Sequence, residues 1–307
     1  MGSGGSMKYI IIVVTVLAMA GCTVEEDPVI QEEPVDLSGY DWYVDASSGS
    51  TTGSGSLHDP LNTITKALSL AINGDTVKVL PGTYNSAGGE TFPLIIPSGV
   101  RLIGNEGGKG EDTIITGGSD EGGFSVCLDT GAGSLVAGFT VTNNVVPESG
   151  QVYGIIIDEA NVRLRNTTIT GCTEHSGYGG SAGVVFTLGG DYALVLHCLI
   201  SGNAEYGLLF NDAGADTKVE STVIRENDTG VLFQDPGGPV DLGGDISAGN
   251  NTFACNLVAD IRLLTFPVAP LTINAQNNYW DHNPPSSGDI NNQDTSVWTV
   301  VTTGADI

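Results

Sequence analysis

One recurring phrase constrains this chain more than anything else in it. HCLISGN (197–203) stacks over STVIREN (221–227), DISAGNN (245–251) and INAQNNY (273–279). The asparagines Asn203, Asn227, Asn251 and Asn278 follow one another at intervals of 24, 24 and 27 residues. A second phrase runs between them, as YGLLFN (206–211), TGVLFQ (229–234) and a looser LVADI (257–261). GFTVTNN (138–144), YGIIID (153–158), NTTITGC (166–172) and AGVVFT (182–187) carry the pattern upstream. A period of about 24 residues suits a leucine-rich repeat or a β-solenoid. The apolar positions alternate or form short β-branched clusters such as Thr222-Val223-Ile224, and Gly and Asn interrupt them every few residues. That is strand chemistry with turns; no repeat holds a helix-length 3.6-residue pattern, and the consensus leucines are missing.

The reading is therefore an all-β chain, a single-stranded parallel β-helix with one coil per repeat. Equivalent residues of adjacent coils then lie about 4.8 Å apart. Asn tolerates the left-handed conformation, and its amide bonds the backbone or the next amide in a stack. Asn203, Asn227, Asn251 and Asn278 are thus expected to form one ladder. Ile169, Ile200 and Ile224 share a repeat position and are expected to point inward. The 44 glycines and only 8 phenylalanines match a fold of many turns.

The N-terminal stretch reads differently. MGSGGS (1–6) is an appended remnant or a mis-assigned start, and Met7 is the natural initiator. After Lys8 comes an apolar run over 9–20, too short to span a bilayer and suited to a signal peptide. Ala18-Met19-Ala20-Gly21-Cys22 resembles the lipobox of bacterial lipoproteins, with Met19 where Leu is usual. The resemblance implies lipidation at Cys22 and a membrane-anchored protein on the outer surface of the cell envelope. Cleavage without lipidation is the alternative. Cys127, Cys172, Cys198 and Cys255 remain; an even number in an exported chain permits disulfides, and buried free thiols are the other reading. Residues 23–40 are acidic, with Pro28 and Pro34, and are expected to be a disordered tether. The organisation predicted is signal region 1–22, tether 23–40, cap 41–73, β-helix 74–282 and a C-terminal cap or tail over 283–307, folded back across the open end.

Residues 41–84 contain Trp42-Tyr43-Val44-Asp45, Asp59-Pro60, Thr63-Ile64, Ala67-Leu68, Gly74-Asp75-Thr76-Val77 and Pro81-Gly82-Thr83-Tyr84. This order resembles the bacterial and archaeal domain of unknown function 1565, found at the start of pectin-lyase-like proteins. The resemblance implies a right-handed parallel β-helix and no particular activity. Leu61, Ile64, Leu68 and Ala71 fall on one helical face, with Asn62 or Thr63 as cap and Gly74 beyond the end, so a short helix is expected to plug the N-terminal end of the solenoid.

For chemistry, the chain's 36 acidic against 10 basic residues, a net charge of −26, make nucleic acid a poor partner, because the overall surface repels a phosphate backbone. Polygalacturonases of similar fold carry Asn-x-Asp, Asp-Asp, Gly-His-Gly and Arg-x-Lys motifs, and the last three do not occur. A pectate-lyase-like reaction would need clustered Asp and an Arg or Lys base. Arg163 and Lys218 share a repeat position two coils apart, and Arg165 stands where Glu220 stands later. The strongest acidic constellation follows the second phrase. Asp158-Glu159, Asn211-Asp212 and Gln234-Asp235 each end a strand, and Asp212 and Asp235 are expected to stack about 5 Å apart. Such a pair is a turn feature, a calcium site with oxygen ligands, or a retaining glycosidase pair. His175 and His197 stand alone, whereas His282 beside Asp281 is placed to join a site. The expected function is non-catalytic binding or display, with polysaccharide as partner and calcium as the one cofactor the residues suggest; a polysaccharide lyase or glycoside hydrolase is the alternative.

Overall fold

The computed structural model describes residues 39–302, except 120–122, 175–176, 178, 213, 245–246, 265–270, 283–284, 287 and 293–297. Cys22, the tether up to residue 38 and His175 lie outside the described residues.

The chain winds as a parallel β-solenoid, and each coil gives one strand to each of three sheets. Sheet 1 runs from Trp42–Val44 to Trp298–Val301, sheet 2 from Gly82–Tyr84 to Tyr279–Trp280, and sheet 3 from Leu94–Ile96 to Ile290–Asn292. Strands that neighbour within a sheet come from successive coils and run parallel. Ile169, Ile200 and Ile224 pair in register and are fully buried, which is the inward column the repeat implies. In sheet 3 the matching column is Phe186, Phe210 and Phe233, whose rings stack at 4.4 and 4.9 Å.

The corners follow one rule. Just before the last five sheet 2 strands a residue takes the left-handed conformation: Asn166, His197, Ser221, Asn250 and Asn277. The next residue turns inward: Thr167, Cys198, Thr222, Asn251 and Asn278 are all buried. Directly after four of these strands the pattern repeats. Gly171, Gly202, Glu226 and Cys255 are left-handed, and Cys172, Asn203, Asn227 and Asn256 follow them.

These corners correct the expected ladder, because there are two. In one, Cys172 N–H donates to Asn203 Oδ1 at 3.2 Å, Asn203 N–H to Asn227 Oδ1 at 3.1 Å, and Asn227 N–H to Asn256 Oδ1 at 3.1 Å. In the other, Cys198 N–H donates to Thr222 Oγ1 at 3.3 Å, Thr222 N–H to Asn251 Oδ1 at 3.0 Å, and Asn251 N–H to Asn278 Oδ1 at 2.9 Å. Asn203 and Asn227 therefore belong to one corner, Asn251 and Asn278 to the other. The physical reason is a longer coil: Val223 pairs with Thr252, 29 residues on, so an interval of 24 there steps to the other corner.

Cys127, Cys172 and Cys198 are buried free thiols. Cys172 and Cys198 occupy ladder positions, and the Cys198 thiol donates to the Leu196 carbonyl oxygen at 3.4 Å. Burial pushes the two thiols up to about 12 and about 11, so they stay protonated and inert.

The N-terminal helix, α1 (Ile64–Leu68), is a single short turn that ends before Ala71. Thr63 is its N-cap, and Ile64, Ala67 and Leu68 are buried. Its free N–H groups, on Ile64 and Thr65, are met by the Glu90 carboxylate at 2.7 and 2.8 Å. The tail differs from the expected cap. Ile290–Asn292 and Trp298–Val301 add strands to sheets 3 and 1, extending the solenoid instead of folding across its end.

Candidate functional site

The strand-end acids do not assemble as expected. Phe210 pairs with Phe233, but Asn211 pairs with Asp235, because Gln234 is an extra residue in a bulge. Asp212 lies one place further on, exposed in a left-handed turn with φ 61°. Asp212 and Asp235 are thus out of backbone register by one. Asp158 and Glu159 follow the Gln151–Ile157 strand in a turn, where the Asp158 carbonyl accepts Gly189 N–H at 3.2 Å.

The outer face of sheet 1 presents four of the chain's ten Lys and Arg residues to solvent. Thr76 pairs with Arg101, Arg101 with Leu135, Leu135 with Arg163, Arg163 with Leu194, and Leu194 with Lys218. Cations therefore recur on every second coil of one row, with leucines between. At about 4.8 Å per coil, the row from Arg101 to Lys218 extends about 19 Å along the axis. Arg101 and Arg163 are exposed, and Lys218, Leu135 and Leu194 are partly exposed. None of the three cations has an ion pair or side-chain hydrogen bond among the described residues. Arg165, in the next row, is different. Its guanidinium meets Glu106 through Nε at 2.6 Å and NH2 at 2.8 Å, and Asn166 supports the same carboxylate at 2.8 Å.

A third cluster closes the last coils. His282 Nδ1 lies 3.1 Å from Asp281 Oδ1 and 3.2 Å from Asp289 Oδ1. The other oxygen of each acid is fixed by backbone: Cys255 N–H donates to Asp281 Oδ2 at 2.8 Å, and Ser286 N–H to Asp289 Oδ2 at 2.5 Å. Beneath them is Asp260, 3% exposed, whose Oδ1 accepts Asn256 Nδ2 at 2.7 Å. Its Oδ2 is buried with no hydrogen-bond partner among the described residues. Burial, then the charges of Asp281 and Asp289, push the Asp260 carboxyl up to about 7. The Asp289 and Asp281 carboxylates raise His282, which favours its imidazolium.

Sequence reasoning flagged Asp281 and His282 but missed Asp260 and Asp289. A signal was present. Gly154, Gly183, Gly207 and Gly230 occupy one column of sheet 3, where a Cβ would press on the ladder side chains Cys172, Asn203, Asn227 and Asn256. The next residue of that column is Asp260, and Asp289 follows it. A glycine column that turns acidic marks the end of a ladder, where Asp260 takes the amide proton that the next Asn took before.

Among solved structures, the chain resembles the pectate lyase Pel9A at 12% identity and a TM-score of 0.54, over 87% of this chain and 78% of that one. It resembles the Escherichia coli protein ybhc at 14% identity and a TM-score of 0.52, over 81% and 77%. At such identity the likeness is one of fold. No curated protein matches the sequence. The model of the family described as "Protein of unknown function (DUF1565)" matches residues 47–287. With most of its length inside that match, and with the pectin-lyase-like solenoid that the Trp42–Tyr84 motifs imply, the chain belongs to the DUF1565 family.

Proposed function

We propose that the protein is an exported, lipid-anchored β-helix of the cell envelope that binds an acidic polysaccharide without cleaving it. The row Arg101–Leu135–Arg163–Leu194–Lys218 carries this reading. With 36 acidic side chains in the chain, carboxylates for pairing are abundant, and Arg165 has taken one. Among the described residues, the three cations of the row have not. A linear polyanion laid across the coils meets a cation every about 10 Å, twice the coil spacing. Leu135 and Leu194 offer apolar surface between them. Each coil repeats the last, so an extended ligand finds the same geometry along its length.

The test is incubation of the purified chain with a panel of polyuronates and neutral glycans, reading both binding and new chain ends. Binding confined to acidic glycans, with no unsaturated or reducing ends released, is the expected result. Release of either end group would replace this reading with a lyase or hydrolase. The anchor has its own test: cells labelled with fatty acid should incorporate label into the wild-type chain and none into Cys22→Ser, which should fail to partition into detergent. A wild-type chain that stays in the aqueous phase, unlabelled, would remove the anchor from the proposal.

A further inference from the structure

We infer that Asp281, His282 and Asp289 form a site for a first-row divalent metal ion of the Zn²⁺ or Mn²⁺ class, which clamps the last coils together. The geometry of the donors comes first. Nδ1 of His282 and Oδ1 of each acid lie within 4.8 Å of one another. The two nitrogen–oxygen edges are 3.1 and 3.2 Å. Donors about 2.0–2.2 Å from an ion, at angles near tetrahedral or octahedral, are themselves separated by about 3.0–3.4 Å. The longer bonds of Ca²⁺, about 2.3–2.6 Å, open those edges further. One Nδ1–H cannot point at two carboxylate oxygens at once, and charge-assisted bonds of this kind are normally shorter, about 2.7–2.9 Å. An ion between the three atoms satisfies all of them.

The second observation is independent of the triad. Asp260 stands one coil below Asp289 in the same column, and Asp289 carbonyl oxygen accepts the N–H groups of both Asp260 and Ile261 at 2.9 Å. The two carboxylates are 3% and 8% exposed, and Asp260 Oδ2 has no partner among the described residues. Two stacked, buried acids are unfavourable without a compensating cation. Asp260 lies within electrostatic reach of all three proposed ligands.

The supporting shell is in place. Backbone N–H groups of Cys255 and Ser286 hold the outer oxygens and leave both Oδ1 atoms facing His282. The imidazole disfavours Ca²⁺ or Mg²⁺ and favours a borderline ion. The His282 side chain is 69% exposed, so solvent completes the coordination. The ligands come from the turn after Tyr279–Trp280 and the residue before Ile290–Asn292, so an ion ties the last sheet 2 strand to the last sheet 3 strand. An open solenoid end needs such closure.

The experiment is calorimetric titration of the tag-free full chain, stripped with chelator, with ZnCl₂, MnCl₂ and CaCl₂ in turn, alongside thermal unfolding. Zn²⁺ or Mn²⁺ should bind at one saturable site at least tenfold more tightly than Ca²⁺ and raise the melting temperature. His282→Ala, a change at an exposed side chain that leaves the fold intact, should weaken that binding at least tenfold and remove the thermal increment; Asp289→Asn should do the same. Binding unchanged in His282→Ala, Ca²⁺ binding as tight as Zn²⁺ and Mn²⁺, or no saturable binding at all would each overturn the inference.

Discussion

Asn227→Ala is expected to destabilise the protein by about 3–6 kcal/mol, as measured by chemical denaturation. Asn227 is 2% exposed and its side chain makes four ladder bonds. Its Oδ1 accepts Asn203 N–H at 3.1 Å and Asn203 Nδ2 at 3.0 Å. Its Nδ2 donates to Ile200 carbonyl oxygen at 3.1 Å and Asn256 Oδ1 at 3.2 Å. Truncation leaves several of these groups buried and unpaired, at about 1–3 kcal/mol each. Asn227→Asp retains the acceptor and loses the donor, adding a buried charge, so it should also destabilise strongly and more so as pH rises. A loss under about 1 kcal/mol for Asn227→Ala would show that water or relaxation replaces the ladder, and that the corners are held by packing alone.

The second large effect lies across the coil. Phe210→Ala should cost about 3–5 kcal/mol through lost burial and a residual cavity. Phe210 is fully buried and sandwiched between Phe186, with rings 3° from parallel at 4.4 Å, and Phe233, at 14° and 4.9 Å. Removing the middle ring breaks both stacks and unlinks three successive coils. In a solenoid, where each coil touches only its neighbours, such a break divides the cooperative unit. Two resolved unfolding transitions are therefore expected in the variant. Phe124→Ala is the control: that ring also stacks, on Tyr153 at 5.9 Å, but is 45% exposed, so its loss should cost under about 1.5 kcal/mol.

What the sequence revealed and what it hid have the same origin. Strand columns were legible wherever coil length was constant. Ile169, Ile200 and Ile224 pair as read, because alternating burial leaves a strand only one register. The ladder reading failed between Asn227 and Asn251. Both corners use the same trick, a left-handed residue followed by an inward polar one, so asparagines from different corners look equivalent when a coil is lengthened. The Asp212–Asp235 reading failed by a single residue, because the bulge at Gln234 shifts pairing without any mark in the composition. The thiols were ambiguous for a similar reason. Cys172 and Cys198 do the work of Asn and Thr in the ladders, and a repeat position filled by several residue types shows no consensus. Arg163 and Lys218 were correctly placed two coils apart, but Arg101 completes the row only when the pairing through Leu135 is known. The acid–histidine cluster needed three dimensions: Asp260 and Asp289 are 29 residues apart and meet only through the coil stack.

The most direct test of the functional claim is calorimetric titration of a polyuronate into the wild-type chain and into Arg101→Glu/Arg163→Glu/Lys218→Glu, at low and high salt. All three positions face outward from sheet 1, so the fold should survive, and an unchanged melting temperature would verify it. The wild type should bind saturably, with affinity that falls as salt screens the row, and the triple variant should lose at least tenfold at low salt. Wild-type binding that the triple variant retains, or that matches neutral glycans and ignores salt, would contradict the account.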